Sequence, residues 1–158
     1  MTDLLLRHAR STDAGKLGAM ISEAVAAFDW KPLLHSGAED IDHVGKMIDR
    51  GWVTVAAQGG AVVGFIAREE SRIHALYVTA QAQGSGIGTA LLNTAKEAVS
   101  RLELWTFQAN EGAQRFYERE GFVVDRRTDG ADNDEKLPDV HYVWQGPYVL
   151  KTQGPAND

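Results

Sequence analysis

Three glycines at alternate positions, Gly84, Gly86 and Gly88, follow the apolar run Leu76-Tyr77-Val78. Past them the pattern turns helical, with Ile87, Leu91, Ala95 and Ala98 on one stripe. A strand, a glycine-rich turn and a helix N-terminus in that order make a site for phosphate. Glycine lets backbone approach an anion closely, the N–H groups of the turn point outward, and the helix dipole favours negative charge. No carboxylate lies between Val78 and Lys96 to oppose one. Two titratable side chains flank this stretch. His74 stands just before Leu76, and an imidazole, with its ordinary pKa near ~6.5, accepts a proton at neutral pH. Tyr117 lies downstream, and a phenol with an ordinary pKa of about 10 starts as a proton donor.

The glycine turn is not a nucleotide motif. A P-loop needs a Lys-Ser/Thr pair after its last glycine, and Gly88 is followed by Thr89-Ala90. A dinucleotide fingerprint needs a further glycine where Thr89 or Leu91 stands, and no clear βαβ unit follows. A tight strand-to-helix connection with no ligand is the competing explanation. Tyr117 on an amphipathic helix can equally be a core tyrosine, and His74 a structural histidine.

The chain around these residues has 158 residues, 44% of them apolar and 24% charged, which suits one globular domain over residues 1–151 with a polar tail at 152–158. There is no cysteine. That excludes a disulfide framework, a thiol nucleophile and a cysteine zinc site, and it fits a reducing, cytoplasmic setting. No apolar run approaches the ~18 residues of a membrane span, and no charged segment precedes the N-terminal apolar patch, so neither membrane nor signal peptide is expected. The net charge is −6 and no basic face is evident, which disfavours nucleic acid.

Periodicity sets the elements that must position these residues. Leu4 to Arg7 reads as a first strand, with Ser11 or Thr12 as the next helix cap. Leu17, Met20, Ile21, Ala24, Val25 and Phe28 form an apolar helical stripe, interrupted at Trp30-Lys31-Pro32. Ser36 and Glu39 form a capping box for a helix carrying Ile41, Val44 and Ile48, which Gly51 stops. Trp52 to Ala57 and Ala61 to Ala67 read as a hairpin around Gly59-Gly60. Glu69-Glu70-Ser71 reads as an exposed turn before the strand Arg72 to Val78. After the glycine helix come a strand from Leu102 to Gln108 and a helix capped by Asn110 and closed by Gly121. A strand from Phe122 to Arg127, a loop from Thr128 to Pro138 and a last strand from Val140 to Trp144, extendable to Leu150, complete the chain. The order β-α-α-β-β-β-α-β-α-β-β describes an α/β fold on a mixed sheet.

Two motifs now carry a resemblance. Gln83-Gly84-Ser85-Gly86-Ile87-Gly88 resembles the Gln/Arg-x-x-Gly-x-Gly/Ala motif of the GNAT superfamily of N-acetyltransferases, just after a Leu-Tyr-Val strand end. The segment from Asn110 to Phe122 is similar to that family's Asn-x-x-Ala-x-x-x-Tyr-x-x-x-Gly-Phe motif, at the right separation. The resemblance implies the GNAT acyl-CoA N-acyltransferase fold, its sheet splayed between the fourth and fifth strands, and acetyl-CoA as co-substrate. It implies that Leu76, Tyr77 and Val78 pair with the pantetheine arm and that amides of Gln83, Gly84, Ser85, Gly86, Ile87, Gly88 and Thr89 hold the pyrophosphate. Asn110 is implied at the pantetheine arm or thiol, Tyr117 as the acid for the leaving thiolate, and the Val78 N–H at the carbonyl oxygen.

The implied reaction is acetyl transfer to a primary amine of a small molecule or peptide by direct attack in a ternary complex, without metal. A non-catalytic acetyl-CoA sensor or scaffold is the alternative. Many members carry a glutamate base on the fourth strand. This one carries Arg72 and His74, and the Ile-His-Ala-Leu run is similar to that of arylalkylamine-type acetyltransferases, where histidines on this strand act as base. His141 is the second candidate. The acceptor site is expected from the first two helices and the late loop. Phe28 and Trp30 end the first helix, and Trp30, Trp52 or Trp144 are candidates for an aromatic wall, or else core residues. The segment from Asp125 to Asp139 carries six acids against three bases, either a solvated loop or a rim that attracts an amine. The resemblance also allows a homodimer.

Overall fold

The computed structural model describes residues 3–146. The expected extension of the last strand beyond Gly146 and the tail at 152–158 lie outside the described residues. Seven strands and four helices follow the expected order: β1 (Leu4–His8), α1 (Ala14–Ala26), α2 (Gly37–Asp49), β2 (Val53–Gln58), β3 (Ala61–Glu69), β4 (Arg72–Val78), α3 (Ile87–Ala98), β5 (Arg101–Phe107), α4 (Glu111–Arg119), β6 (Val123–Thr128) and β7 (Asp139–Gln145). Hydrogen bonding orders the strands β1-β2-β3-β4-β5-β7-β6. The residues form two compact units, Met1–Glu69 with Ile73–Leu92, and Glu70–Arg72 with Asn93–Asp158.

In the first unit, β1 and β2 run antiparallel from Leu4↔Gln58 to His8↔Thr54, and β2 and β3 from Val53↔Ala67 to Gln58↔Ala61. Gly59 and Gly60, at φ +61° and +82°, make the hairpin turn, since only glycine adopts two successive left-handed residues without strain. The core is Leu17 and Met20 of α1, Val44 and Met47 of α2, and Val53, Val55, Phe65 and Ala67 of the strands. Burying these side chains, at roughly 1.5–3 kcal/mol each, is what holds helices and strands together.

Local chemistry sets the helix ends. The Ser36 capping box forms as expected: Glu39 N donates to Ser36 Oγ (3.1 Å) and Ser36 N to Glu39 Oε1 (2.8 Å). The cap before α1 differs from expectation. Ser11–Asp13 is a single 3-10 turn, and the Asp13 carboxylate, rather than Ser11 or Thr12, accepts from Arg10 N (2.7 Å). Asp13 also pairs with Arg7 at 2.9 Å, and that hydrogen bond outweighs burial to hold its carboxyl below the usual range. Helix α1 ends at Ala26, so Phe28 falls outside it and packs on Trp30 in a tilted pair, centroids 4.9 Å apart.

One expected core residue moves outward. Ile41 is 40% exposed, and Met47 takes the buried place. Helices α1 and α2 also meet closely at this residue. A Cβ on Gly18 would stand 2.5 Å from Ile41 Cγ1 and 2.8 Å from Ile41 Cα, so only glycine lets α1 approach α2 there. Gly18→Ala is therefore expected to destabilise by about 1–3 kcal/mol despite alanine's better helix propensity, because backbone must shift. Its urea midpoint falls; an unchanged midpoint would show that the helices do not meet at this spacing.

In the second unit, β7 lies between β5 and β6, antiparallel to both, with a bulge between Val124 and Arg126. Leu102, Leu104, Phe122, Val140 and Tyr142 are buried. Lys96 closes α4: its Nζ donates to the Glu120 carbonyl at 2.7 Å, a cation at the negative end of a helix. A single parallel pairing, Arg72↔Glu103, joins β4 and β5, and Glu103 N donates to Ser71 O (2.8 Å). No helix of the described residues is long and apolar enough to cross a membrane.

Candidate functional site

The glycine turn is preformed. β4 ends at Val78, Ala80–Ala82 make one 3-10 turn, and α3 starts at Ile87. Gly84 and Gly86 adopt φ +82° and +87°, the left-handed region that other residues resist. A Cβ at either would meet nothing within 4 Å, so conformation and not crowding requires glycine. Gly88 lies inside the first turn of α3 and has no such requirement. The Gln83 side chain turns back and donates from Nε2 to the Val78 carbonyl (3.1 Å), and Ser85 Oγ donates to Ala82 O. The Val78 carbonyl is thus already engaged.

Gly64 is a residue the sequence reading did not single out. A Cβ there would lie 2.9 Å from Tyr77 O and 3.3 Å from Ile87 and Leu91 side chains. It lets β4 and the start of α3 seat closely against β3. The signal was present, since an isolated glycine in a strand pattern marks close backbone approach.

His74 sits in the same unit with its side chain 27% exposed. Its Nε2 is 2.9 Å from Glu69 Oε1, and its ring stacks on Trp52 at 5.0 Å and 17°. Glu69, expected in an exposed turn, is instead the last residue of β3 and faces His74. Trp52 packs against the core and the imidazole rather than lining an open wall.

The second unit holds Asn110 and Tyr117. Asn110 caps α4 as expected, its Oδ1 accepting from Ala113 N (3.0 Å). Gln114 Nε2 donates to the carbonyls of Phe107, Gln108 and Asn110, binding the β5–α4 corner. Tyr117 is 9% exposed, with ring centroids 5.5 Å from Phe122 and 6.2 Å from Tyr142. Burial, and then its hydrogen bond to the Glu118 carboxylate (2.8 Å), push the Tyr142 phenol up to about 12.

His141 is held between two carboxylates. Nδ1 is 2.9 Å from Asp125 Oδ2 and Nε2 is 3.0 Å from Glu103 Oε1, and the ring leans on Trp105 at 4.7 Å. Both nitrogens are engaged, so the ring ties β5, β6 and β7 together and offers no nitrogen to a substrate amine. Burial pushes the Glu103 carboxyl up, but hydrogen bonds from Arg101 and His141 outweigh it and leave it below the usual range. A depressed carboxylate stabilises the fold above its unfolded value and loses that contribution as pH falls through its folded value. Glu103→Gln is expected to flatten the stability-versus-pH curve below about pH 4.5. Parallel curves for variant and parent would contradict the ion-paired role.

The acidic loop is built rather than merely solvated. Thr128 Oγ1 donates to Asp139, Asn133 Nδ2 donates to Asp139 Oδ2 (3.1 Å) and Leu137 O (2.8 Å), and Gln108 Nε2 donates to the carbonyls of Thr128 and Asp139. With Trp105, Phe107 and Arg126 it lines a cleft of about 430 Å³ whose rim includes Asp129, Asp132 and Glu135. Its exposed aromatic is Trp105, 44% exposed. None of the expected tryptophans stands there: Trp30 pairs with Phe28, and Trp144 lies 5.5 Å from Lys96 Nζ. Trp105 was legible only as the outward phase beside buried Leu102 and Leu104.

This element order, with a left-handed glycine turn opening a helix and an asparagine-capped helix bearing a buried tyrosine, defines a GNAT-type α/β fold. Residues 49–124 match the acetyltransferase (GNAT) domain model. An uncharacterized N-acetyltransferase of Methanocaldococcus jannaschii is 38% identical over 84 residues, 43% of this chain and 37% of that protein. The chain spans between 37% and 51% of the length of the curated relatives it matches. The apo-form YjaB of Escherichia coli superposes with a TM-score of 0.75 at 24% identity, covering 91% of this chain and 99% of that one. The putative acetyltransferase yncA of Salmonella typhimurium, solved with acetyl-CoA, gives 0.72 at 17% identity, covering 90% and 94%. These two likenesses are of fold.

Proposed function

We propose that this protein transfers the acetyl group of acetyl-CoA to a primary amine of a small molecule or peptide, by direct attack in a ternary complex. The observation that carries the reading is the turn from Gln83 to Gly88, with Gly84 and Gly86 left-handed ahead of α3. Its backbone amides suit a pyrophosphate, and the edge residues Leu76, Tyr77 and Val78 suit an extended pantetheine arm. Asn110 serves the pantetheine or thiol region, and Thr89 belongs to the phosphate turn.

Acetyl transfer to an amine needs a neutral amine, a polarised carbonyl and a protonated leaving thiolate. In this reading His74 takes the ammonium proton, the Val78 N–H holds the carbonyl oxygen and Tyr117 protonates the thiolate. His141 drops out as base because both its nitrogens are taken.

Thermal shift with acetyl-CoA, desulfo-CoA and NAD tests the cofactor class. Stabilisation by acetyl-CoA and not by NAD is expected; no stabilisation by acetyl-CoA counts against the reading. Free-thiol release across a panel of amines then separates an enzyme from a non-catalytic acetyl-CoA sensor. The chain has no cysteine to raise the background.

A further inference from the structure

We propose that Glu69 is the positioning residue for His74, setting which imidazole nitrogen faces the acceptor amine and stabilising the ring once it holds the amine's proton. The proposal rests on the acetyltransferase reading and on His74 as its base. Its geometry lies within one compact unit. Glu69 ends β3 and His74 lies on β4, and the short connection brings Glu69 Oε1 to 2.9 Å from His74 Nε2.

An ionised carboxylate only accepts hydrogen bonds. Nε2 therefore carries the proton of the neutral ring, and Nδ1 keeps the lone pair. Trp52, stacked at 5.0 Å and 17°, fixes the plane of the ring. Glu69 decides between the two ways the ring can lie in that plane. The Arg50 guanidinium lies 5.1 Å from the Trp52 ring centroid, and the Glu69 carboxylate faces the imidazole.

The proton step balances. An N–H bond of the acceptor ammonium breaks, its electron pair stays on the amine nitrogen, and the proton bonds to Nδ1. The imidazolium keeps its Nε2–H on Glu69 and afterwards returns the Nδ1 proton to water. This is the orienting role of a carboxylate behind a histidine base. The side chains of His74 and Glu69 are 27% and 45% exposed, and so open an ion pair contributes little to stability. Orientation of the base is what the contact can supply.

The test combines Glu69→Ala, Glu69→Gln, His74→Ala and the Glu69→Ala/His74→Ala double variant, assayed on an amine that the parent enzyme acetylates. Glu69→Ala is expected to lower kcat roughly 10-fold with acetyl-CoA affinity and Tm unchanged. In the His74→Ala background the same substitution has no further effect, because a residue acting through His74 has nothing left to position. Glu69→Gln keeps an acceptor oxygen and recovers part of the loss. Proton NMR of the ring N–H groups reads the contact without turnover: a protected His74 Nε2–H signal in the parent disappears in Glu69→Ala. Additive losses in the double variant, or a signal that persists, overturn the proposal. If His74→Ala abolishes turnover and Glu69→Ala leaves it intact, only the positioning role falls. If His74→Ala leaves turnover intact, the base assignment falls and the positioning role with it.

Discussion

Tyr117→Phe is expected to lower kcat by about 100-fold or more while acetyl-CoA affinity stays within about twofold, since a positioned general acid contributes roughly 10²–10⁴. The substitution removes one hydroxyl and keeps the ring. That ring is 9% exposed and packs against Phe122 and Tyr142, so the aromatic cluster survives the change. Stability and cofactor binding should therefore move little, and any large fall in turnover belongs to the lost proton donor. Tyr142→Phe is the informative contrast. Its hydroxyl is committed to Glu118 and its phenol is pushed up to about 12, which suits structure and makes it a poor donor near neutral pH. Steady-state kinetics on both variants, with acetyl-CoA affinity from calorimetry, separates the roles. Unchanged turnover in Tyr117→Phe would remove that residue from the mechanism and leave it as a core tyrosine.

Gly86→Val is expected to weaken acetyl-CoA binding by about tenfold or more, equivalent to about 1.4 kcal/mol. Space alone does not explain this, since a Cβ at Gly86 meets nothing within 4 Å. The cause is φ +87°. A left-handed L-residue costs roughly 1–2 kcal/mol, and a β-branched one more. The turn therefore relaxes, and the amides at the start of α3 no longer converge on one anion. Gly86→Ala should show the same effect to a smaller degree. Calorimetry with acetyl-CoA checks both, and undiminished affinity in Gly86→Val would contradict the placement of the pyrophosphate.

The expected outline of the fold is observed because its signals are local. The Ser36 capping box, the Gly59-Gly60 hairpin, the Asn110 cap and the Gly121 stop each depend on a few adjacent residues, and each forms where expected. The departures occur where a local rule meets a partner from elsewhere in the chain. Ser11 and Thr12 are good caps, but they fall within a 3-10 turn, and Asp13 stands at the N-cap of α1 with its carboxylate on Arg7 and Arg10 N. Ile41 fits an apolar helical stripe, yet it lies against Gly18 of α1 and stays 40% exposed, while Met47 is buried. The loop from Thr128 to Pro138 has no period, yet Asp139, Asn133 and Gln108 fasten it through hydrogen bonds no periodicity encodes.

The sequence by itself determined the order of elements, the glycine turn before α3 and the identity of the residues able to move protons. Those depend on backbone conformation and side-chain type, which are properties of single residues and short spacings. Only the tertiary structure decided which of those residues is available. It closed His141 between Glu103 and Asp125, and it gave His74 a carboxylate that had looked like part of an exposed turn. Hydrogen-bond partners are set by which strands lie side by side, and strand pairing is a long-range choice made by burial rather than by neighbours in the chain. The glycine turn keeps its expected place, but of its three glycines only Gly84 and Gly86 are required by backbone conformation.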